Sequence, residues 1–488
     1  MKIAFVASEV VPFAKTGGLA DVAGSLPKEI KELGHDIKVF MPKYYSVDEN
    51  RFKLEYLSWI GSVPIRISGR SLDVHFHKGF LPNTKVEIYF IDYPRLFHRH
   101  TIYTNDIDED ERFILFSKAV IELIQKLQWK PDVIHLNDWQ TGLIPLLIKD
   151  NYSWDKMFNK TATVFTIHNI GYQGSFPKKT LYKAEINPRY FDSPGQVEQG
   201  GKINFMKAGI SFADAISTVS ETYANELLLP EYGFGMDSVL KYRAEDFYGI
   251  LNGIDYDLWN PETDKHIPFN YSIDNLAGKL KNKKDLLKQF GLTFDEKKPL
   301  IGIISRLAVQ KGFDILLSSM EYLMSLDFQL ILLGSGEDEY ETGFNALANK
   351  YPHKFAIHLG YNNDLSHLIE AGSDMFLMPS HYEPCGLNQI YSLKYGTVPI
   401  VRKTGGLADT VQDCDEMKAL GLDTGNGYSF VDYNGYALTN AVERAIHDFK
   451  NKPLWKKIQT NGMSKDYSWK RSAEKYIDLY QKAKKKQL

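Results

Sequence analysis

Two cysteines, Cys385 and Cys414, stand in a chain of 488 residues. That is too few for a disulfide framework, so a reducing compartment is the natural setting. Neither charge dominates. Lys and Arg number 58 against 61 Asp and Glu, a formal charge of -3, which argues against a nucleic-acid or membrane-surface partner. No apolar run approaches membrane-spanning length. The opening MKIAFVASEV lacks the cationic start, apolar stretch and small-residue cleavage site of a secretory leader, and reads directly as a buried strand. The lysine-rich end KAKKKQL is short and reads as a solvated helix terminus. Both common nucleotide fingerprints, GxxxxGK[ST] and GxGxxG, are missing, so a nucleoside triphosphatase or a nicotinamide-dependent oxidoreductase is poorly supported.

What is present is a pattern that runs twice. Short apolar runs alternate with helical patterns, as in parallel sheets covered by helices. The first half offers strands at KIAFVA, DIKVFMP, DVIHLN, TATVFTI and DAISTVS, and the second at PLIGIIS, FQLILLG, FAIHLG, DMFLMPS and TVPIVR. Between the first two lies GLADVAGSLPKEIKELG, whose Leu19, Val22, Leu26, Ile30 and Leu33 recur at helical spacing. A hinge fits EDFYGILNGIDYDLWNPETD, which leaves the regular pattern and carries Gly253, Asp255 and Pro261. The expectation is an α/β protein of two doubly wound domains, 1–250 and 251–465, with a helical segment at 466–488. In such sheets ligands bind beyond the carboxyl ends of the strands, so two facing domains would form a cleft.

The heptapeptide KTGGLAD occurs at Lys15–Asp21 and again at Lys403–Asp409. In the first copy it follows a strand and opens a helix, which places Lys15 and the amides of Gly17 and Gly18 at a positive helix end suited to phosphate. Taken alone, a lysine beside a Gly-Gly turn commonly has a structural role. After PLIGIIS comes SRLAVQKG, with Arg306 and Lys311 close together. Two such cations suit a diphosphate, because Arg can grip oxygens bidentately while Lys adds a point charge; an ordinary surface pair is the alternative. After DMFLMPS, the stretch HYEPCGLNQ places Glu383 in a loop and Gly386 at the start of a helix. A carboxylate there can accept from sugar hydroxyls, or serve only as a helix N-terminal charge. GSGEDEY, after FQLILL, offers another close backbone approach. HLNDWQ and TIHNIGYQG bring Asp138, Trp139, His168 and Asn169 to one rim. A lone histidine at a strand end is usually a satisfied polar group, but beside Asp and Trp it points to a sugar pocket.

Together KTGGLADV, NDWQ, TIHN, the spacing of Arg306 and Lys311, HYEPCGL and the second KTGGLADT resemble the bacterial-type glycogen and starch synthases, over nearly the whole chain. The resemblance implies the GT-B fold, two Rossmann-like domains facing across a deep cleft, with the last helix crossing back to the first. It implies transfer of glucose from a nucleotide sugar to the non-reducing end of an α-1,4-glucan such as glycogen, with retention. Lys15, Gly17 and Gly18 would meet the donor's phosphates, and Arg306 and Lys311 would neutralise the departing diphosphate. Glu383 would hold glucose hydroxyls, supported by the amides of Cys385, Gly386 and Leu387. His168, Asn169, Asp138, Trp139 and Asp21 would line the glucose and acceptor side. Asn252 would sit near the leaving phosphates, Tyr361 would stack on the base, and Thr404 and Gly405 would approach the phosphates, so that the two turns clamp one diphosphate.

Departure of a nucleoside diphosphate builds charge that fixed cations can stabilise, so neither metal nor cofactor is expected. DIDED, DYD and DCD read as turns and solvated acids, not as an Asp-x-Asp metal site. Glu383 has no evident carboxylate partner of the kind hydrolases use. Related GT-B transferases often carry a second Glu eight positions on, and here that residue is Tyr391; a front-face reaction is therefore expected. ADP-glucose is the expected donor, with UDP-glucose or another acceptor open. A pyridoxal-dependent phosphorylase and a non-catalytic glucan or nucleotide-sugar binding protein are the other readings. Without a transit peptide the expected location is the cytoplasm, and oligomeric state is not indicated.

Overall fold

The computed structural model describes residues 1–192 and 195–487, and the chain divides into two α/β units. Met1–Val219, Ala224–Gly253 and the segment from Trp469 onward make the first, and Ser220–Tyr223 with Ile254–Ser468 the second. Division falls at Gly253/Ile254 and Ser468/Trp469, not at 250/251 and 465/466. Ile254 and Ser468 form a parallel bridge, with Ile254 N donating to Tyr467 O at 2.9 Å, so both passages of the chain change unit at one place. Four residues that follow a first-unit strand also belong to the second. Ser220 Oγ donates to Pro384 O at 2.6 Å and Thr222 N to the Asp409 carboxylate at 3.0 Å.

The first unit is built on one sheet, in the order Phe247–Gly249, Ala215–Thr218, Ala162–Ile167, Val133–Asn137, Lys2–Val6, Asp36–Pro42, Glu87–Asp92, Arg70–Phe80, Glu55–Tyr56. Pairing is parallel as far as Glu87–Asp92, and Arg70–Phe80 then runs antiparallel. Ile3 to Val6 and Val133 to Asn137 are buried throughout, the continuous apolar run of a strand covered on both faces. The edge strands were not expected. Arg70–Phe80 carries four basic side chains, Arg70, His75, His77 and Lys78, and its alternation is too uneven to stand out from a loop. Chain order reverses between Lys2–Val6 and Val133–Asn137, which puts the segments after them, Ala7–Glu9 and Asp138, at the switch point where ligands bind.

One buried histidine explains how the end of the chain is tied to this sheet. His135 is fully buried among hydrophobic neighbours, and burial pulls its pKa down to about 3, so the ring is neutral. Its Nε2 meets Thr166 Oγ1 at 2.7 Å and its Nδ1 meets Tyr480 Oη at 2.7 Å. Tyr480 lies on the helix Trp469–Lys485, which also sends Ser472 Oγ to Leu251 O at 2.6 Å and Lys484 to Asp132 at 2.7 Å.

The second unit has a six-stranded, wholly parallel sheet ordered Phe355–Leu359, Gln329–Gly334, Leu300–Ile304, Met375–Met378, Val398–Arg402, Tyr428–Phe430. Alternation splits the three central strands between two cores. Ile301, Ile303, Leu330, Leu332, Met375 and Leu377 join one cluster, while Leu300, Ile331, Leu333 and Phe376 join another. Order reverses between Leu300–Ile304 and Met375–Met378, so the second switch point lies at Ser305–Arg306 and Pro379–Ser380. Tyr480→Phe should leave His135 Nδ1 buried without a partner. A loss of about 1–3 kcal/mol in urea unfolding free energy is expected, with the fold retained by circular dichroism.

Candidate functional site

At the second switch point the strand ends enclose a cavity of about 180 Å³, lined among others by Ser305, Arg306, Lys311, Ser380, Glu383, Gly386 and Leu387. Lys311 Nζ lies 2.6 Å from Glu383 Oε2, which also accepts from Ser380 Oγ at 3.0 Å. Glu383 is buried and Lys311 only partly so. Removing the lysine would leave a buried charge uncompensated, at a cost of about 3–5 kcal/mol. Arg306 is exposed at the rim and has no ion-pair partner among the described residues. One free cation, one shared cation and one carboxylate thus converge on a single small cavity. Gly312, at φ +77°, ends the turn carrying Lys311, and a Cβ there would lie 2.0 Å from Pro379 O. The GSG loop is equally tight, but against protein: a Cβ on Gly334 or Gly336 would meet the carbonyls of Ser305 and Leu307.

Gly386 does not begin the helix as expected. At φ +69° it cannot be helical, and the helix starts at Asn388 with Leu387 as its N-cap. Cys385 beside it is buried. Thr404 and Gly405 are buried too. A Cβ on Gly405 would lie 1.9 Å from Glu383 O, and one on Gly406 would lie 2.0 Å from Cys385 O. Gly406 N donates to Glu383 O at 3.1 Å. The second KTGGLAD is therefore the bed on which the Glu383 loop rests.

The identical first heptapeptide behaves otherwise. Lys15, Thr16, Gly17 and Gly18 are exposed, and a Cβ on either glycine would meet nothing within 4 Å. Lys15 Nζ pairs with Asp21 at 2.7 Å, and burial raises the Asp21 pKa against the pull of that lysine. The Gly17 amide is not open to a phosphate. It donates to Glu9 at 3.2 Å, and Glu9 also takes the Thr16 amide, Thr16 Oγ1 and Tyr103 Oη. Glu9 is buried and its pKa is raised by burial; its carboxyl occupies the helix N-terminus from within the protein. Tyr103 carried no sequence signal, since its contact with Glu9 brings together positions 94 residues apart.

Across the same switch point Asp138 sits at φ +58°, ψ 178°, a region that costs a non-glycine residue about 1–3 kcal/mol. It is held there by Asp138 N donating to Thr166 O at 2.9 Å and by Asp138 Oδ1 accepting from His168 N at 2.7 Å. Burial lifts its pKa to about 7. His168 is buried, its pKa lowered to about 3, and its Nε2 meets Asn137 Oδ1 at 2.9 Å. Asn169 is half-buried and caps Gly171 N at 3.0 Å. Trp139 departs from expectation. Its ring is buried against Phe113, Phe176 and Phe205, with Gly174 pressed on its face, so it supports the rim from beneath and presents no surface to a sugar.

Asn252 is buried, and its Oδ1 has no partner among the described residues. Tyr361 is 80% exposed, its hydroxyl on Asn363, leaving a free aromatic face. The acidic strings have local duties: Asp106 and Asp108 pair with Arg99, Asp110 with Lys183, and Asp413 with Arg444. A wider depression of about 570 Å³ by His266 and Asp285 has some of its polar groups matched, His266 to Asp364 and Gln289 to Asp285.

Residues 2–242 match the family model described as the starch synthase catalytic domain, and residues 286–462 match glycosyl transferases group 1. Two such units, the second with a dicationic strand-end cavity, define a GT-B glycosyltransferase that moves a hexose. A glycogen synthase of Thermosipho melanesiensis is 46% identical over 489 residues, covering 100% of both chains, and one of Thermotoga maritima is 44% identical over 486 residues, covering 99% of each. The catalytic domain of starch synthase IV from Arabidopsis thaliana, solved with ADP and acarbose, superposes with a TM-score of 0.91 at 34% identity, with 99% of each chain covered. The chain belongs to the glycogen and starch synthase family. Sucrose-phosphate synthase from Thermosynechococcus elongatus, at 16% identity and a TM-score of 0.61, shares the fold.

The two heptapeptides should respond differently to one substitution. Gly405→Ala, strained at φ +44° and blocked by Glu383 O, should lower the melting temperature by several degrees and abolish activity. Gly17→Ala, with φ -148° and open space, should melt like the parent protein.

Proposed function

We propose that this protein transfers glucose from ADP-glucose to the non-reducing end of an α-1,4-glucan with retention of configuration. The observation that carries this reading is the cavity in which Arg306, Lys311 and Glu383 meet at the strand ends. Its size suits a diphosphate or one sugar, and its charges suit both together. Arg306 can grip two phosphate oxygens, and the three donors of the Lys311 ammonium can serve Glu383 and a phosphate oxygen at once. Glu383, fixed by Lys311 and Ser380, accepts from glucose hydroxyls and so orients the sugar. The relative solved with ADP and acarbose supports an adenine nucleotide and an oligosaccharide as the ligand classes.

In the step that follows, the bond from the anomeric carbon to the diphosphate breaks and its electron pair leaves with the phosphate. The acceptor hydroxyl attacks from the same face, and its proton passes to the departing phosphate oxygen. Charge grows where Arg306 and Lys311 already stand, in a site preorganised for it. Among the described residues that line the cavity, Glu383 is the one carboxylate, which favours this front-face course. Asp138, His168 and Asn169 are assigned to the glucan, and Lys15 to the donor's phosphates. No metal or cofactor is invoked, and the reaction is assigned to the cytoplasm. Among the described residues no helix is long and apolar enough to cross a membrane.

Incorporation of labelled glucose into glycogen, from ADP-glucose and UDP-glucose in parallel with chelator present, tests the proposal. Metal-free transfer from ADP-glucose is expected; no transfer from either donor by folded protein would sink it in favour of a binding protein. Lys311→Ala and Glu383→Ala should each lower kcat/KM by about 10²–10³-fold, and Lys15→Ala should lower turnover as well. Near-normal activity in Glu383→Ala would remove that residue from the site.

A further inference from the structure

Tyr391 stands where related transferases carry a second carboxylate, and the structure gives it a different task. It lies on the helix Asn388–Lys394, which directly follows the Glu383–Leu387 loop. Its ring stacks on Trp259 with centroids 3.9 Å apart and planes within 7°, and Trp259 stacks on His367 at 3.8 Å and 7°. His367 is in turn anchored, Nδ1 to Asp264 Oδ2 at 2.8 Å, and Tyr395 from the same helix end reaches that oxygen at 2.5 Å. The Asp264 side chain is wholly buried. Three parallel rings and a buried carboxylate therefore tie this helix to the segment that opens the second unit.

A helix of seven residues has little stability of its own, so its direction follows from what it packs on. Its first turn is coupled to the loop. Gln389 Nε2 donates to Cys385 O at 3.0 Å and Gly386 O at 3.1 Å, and Asn388 Nδ2 to Ile304 O at 2.8 Å. The Gly405–Gly406 bed supports the loop from one side, and the ring stack holds the helix at its middle residue, Tyr391.

We propose that Tyr391 and Trp259 are positioning residues for the nucleotide-sugar donor, acting through the Asn388–Lys394 helix to hold the Glu383–Leu387 loop in its binding geometry. This rests on the donor reading of the cavity. It accounts for the tyrosine: a carboxylate at position 391 would lose the stack.

The test is calorimetric ADP binding together with steady-state kinetics on the full chain. Tyr391→Ala should weaken ADP binding and raise the KM for ADP-glucose by about tenfold, with the KM for glycogen unchanged. Tyr391→Phe and Trp259→Phe, which keep a ring in the stack, should stay within about twofold of the parent. Tyr391→Glu should behave like Tyr391→Ala. Normal ADP affinity in Tyr391→Ala, equal losses in the Ala and Phe variants, or a Glu variant that outperforms Ala would each overturn the inference while leaving the donor reading intact. Failure of the parent protein to bind ADP at all would overturn both. Should Tyr391→Ala not fold, Trp259→Phe and Tyr391→Glu carry the same comparison.

Discussion

The second unit turns on a backbone contact with no room for a side chain. The carbonyls of Glu383 and Cys385 lie where the β-carbons of residues 405 and 406 would be, so only glycine allows the two loops to meet. That contact sets the height of the Glu383 loop above the sheet. Lys311 then reaches Glu383 because Gly312 lets its own turn close on Pro379 O. The chemistry of the cavity is that of long charged side chains, but their convergence is decided by missing β-carbons beneath them. This is a familiar economy in parallel sheets: the strands supply a rigid base and the loops beyond their carboxyl ends supply the function.

The same seven residues in the first unit show how little a short motif determines alone. There a β-carbon on either glycine would face open space, the lysine is exposed, and the helix end is already satisfied by Glu9, a buried carboxylate taking two backbone amides and two hydroxyls. In the second copy Lys403 pairs with Glu416, and the aspartate matching Asp21, Asp409, binds Thr222 instead. One copy keeps an open surface with a cation beside it. The other is a packing element. Identical sequence opens a helix in both places, but the matched glycines take different conformations, φ -148° at Gly17 and +44° at Gly405, and the neighbours decide what the turn is for.

Two buried residues at the first switch point stand out by physical cost. Asp138 holds a backbone conformation normally left to glycine, and burial holds its carboxyl near neutrality. His168 beside it stays neutral, bonded to Asn137. Strained backbone and perturbed ionisation cluster where a fold serves something other than its own stability. Trp139, next in sequence, shows the reverse: it was expected on the rim because aromatic faces suit sugars, yet its strongest partners are three phenylalanines.

From the sequence alone came the α/β class, the two-part division to within a few residues, the core parallel strands, and the grouping of Arg306, Lys311 and Glu383 at strand ends. Those features are local: apolar runs, turn glycines and strand-terminal charges are written in consecutive residues, and parallel strands buried on both faces leave an unmistakable pattern. Tertiary structure alone decided which glycines face open space and which are seats for another loop, that Glu9 fills the first helix end, that Trp139 is core, and that Tyr391 belongs to a stack with Trp259 and His367. Glu9 lies only seven residues from Thr16, but the others depend on residues well separated in the chain, 132 positions in the case of Trp259 and Tyr391. No local pattern encodes such a meeting, because it exists only once the sheet order and the crossovers have brought the two segments together.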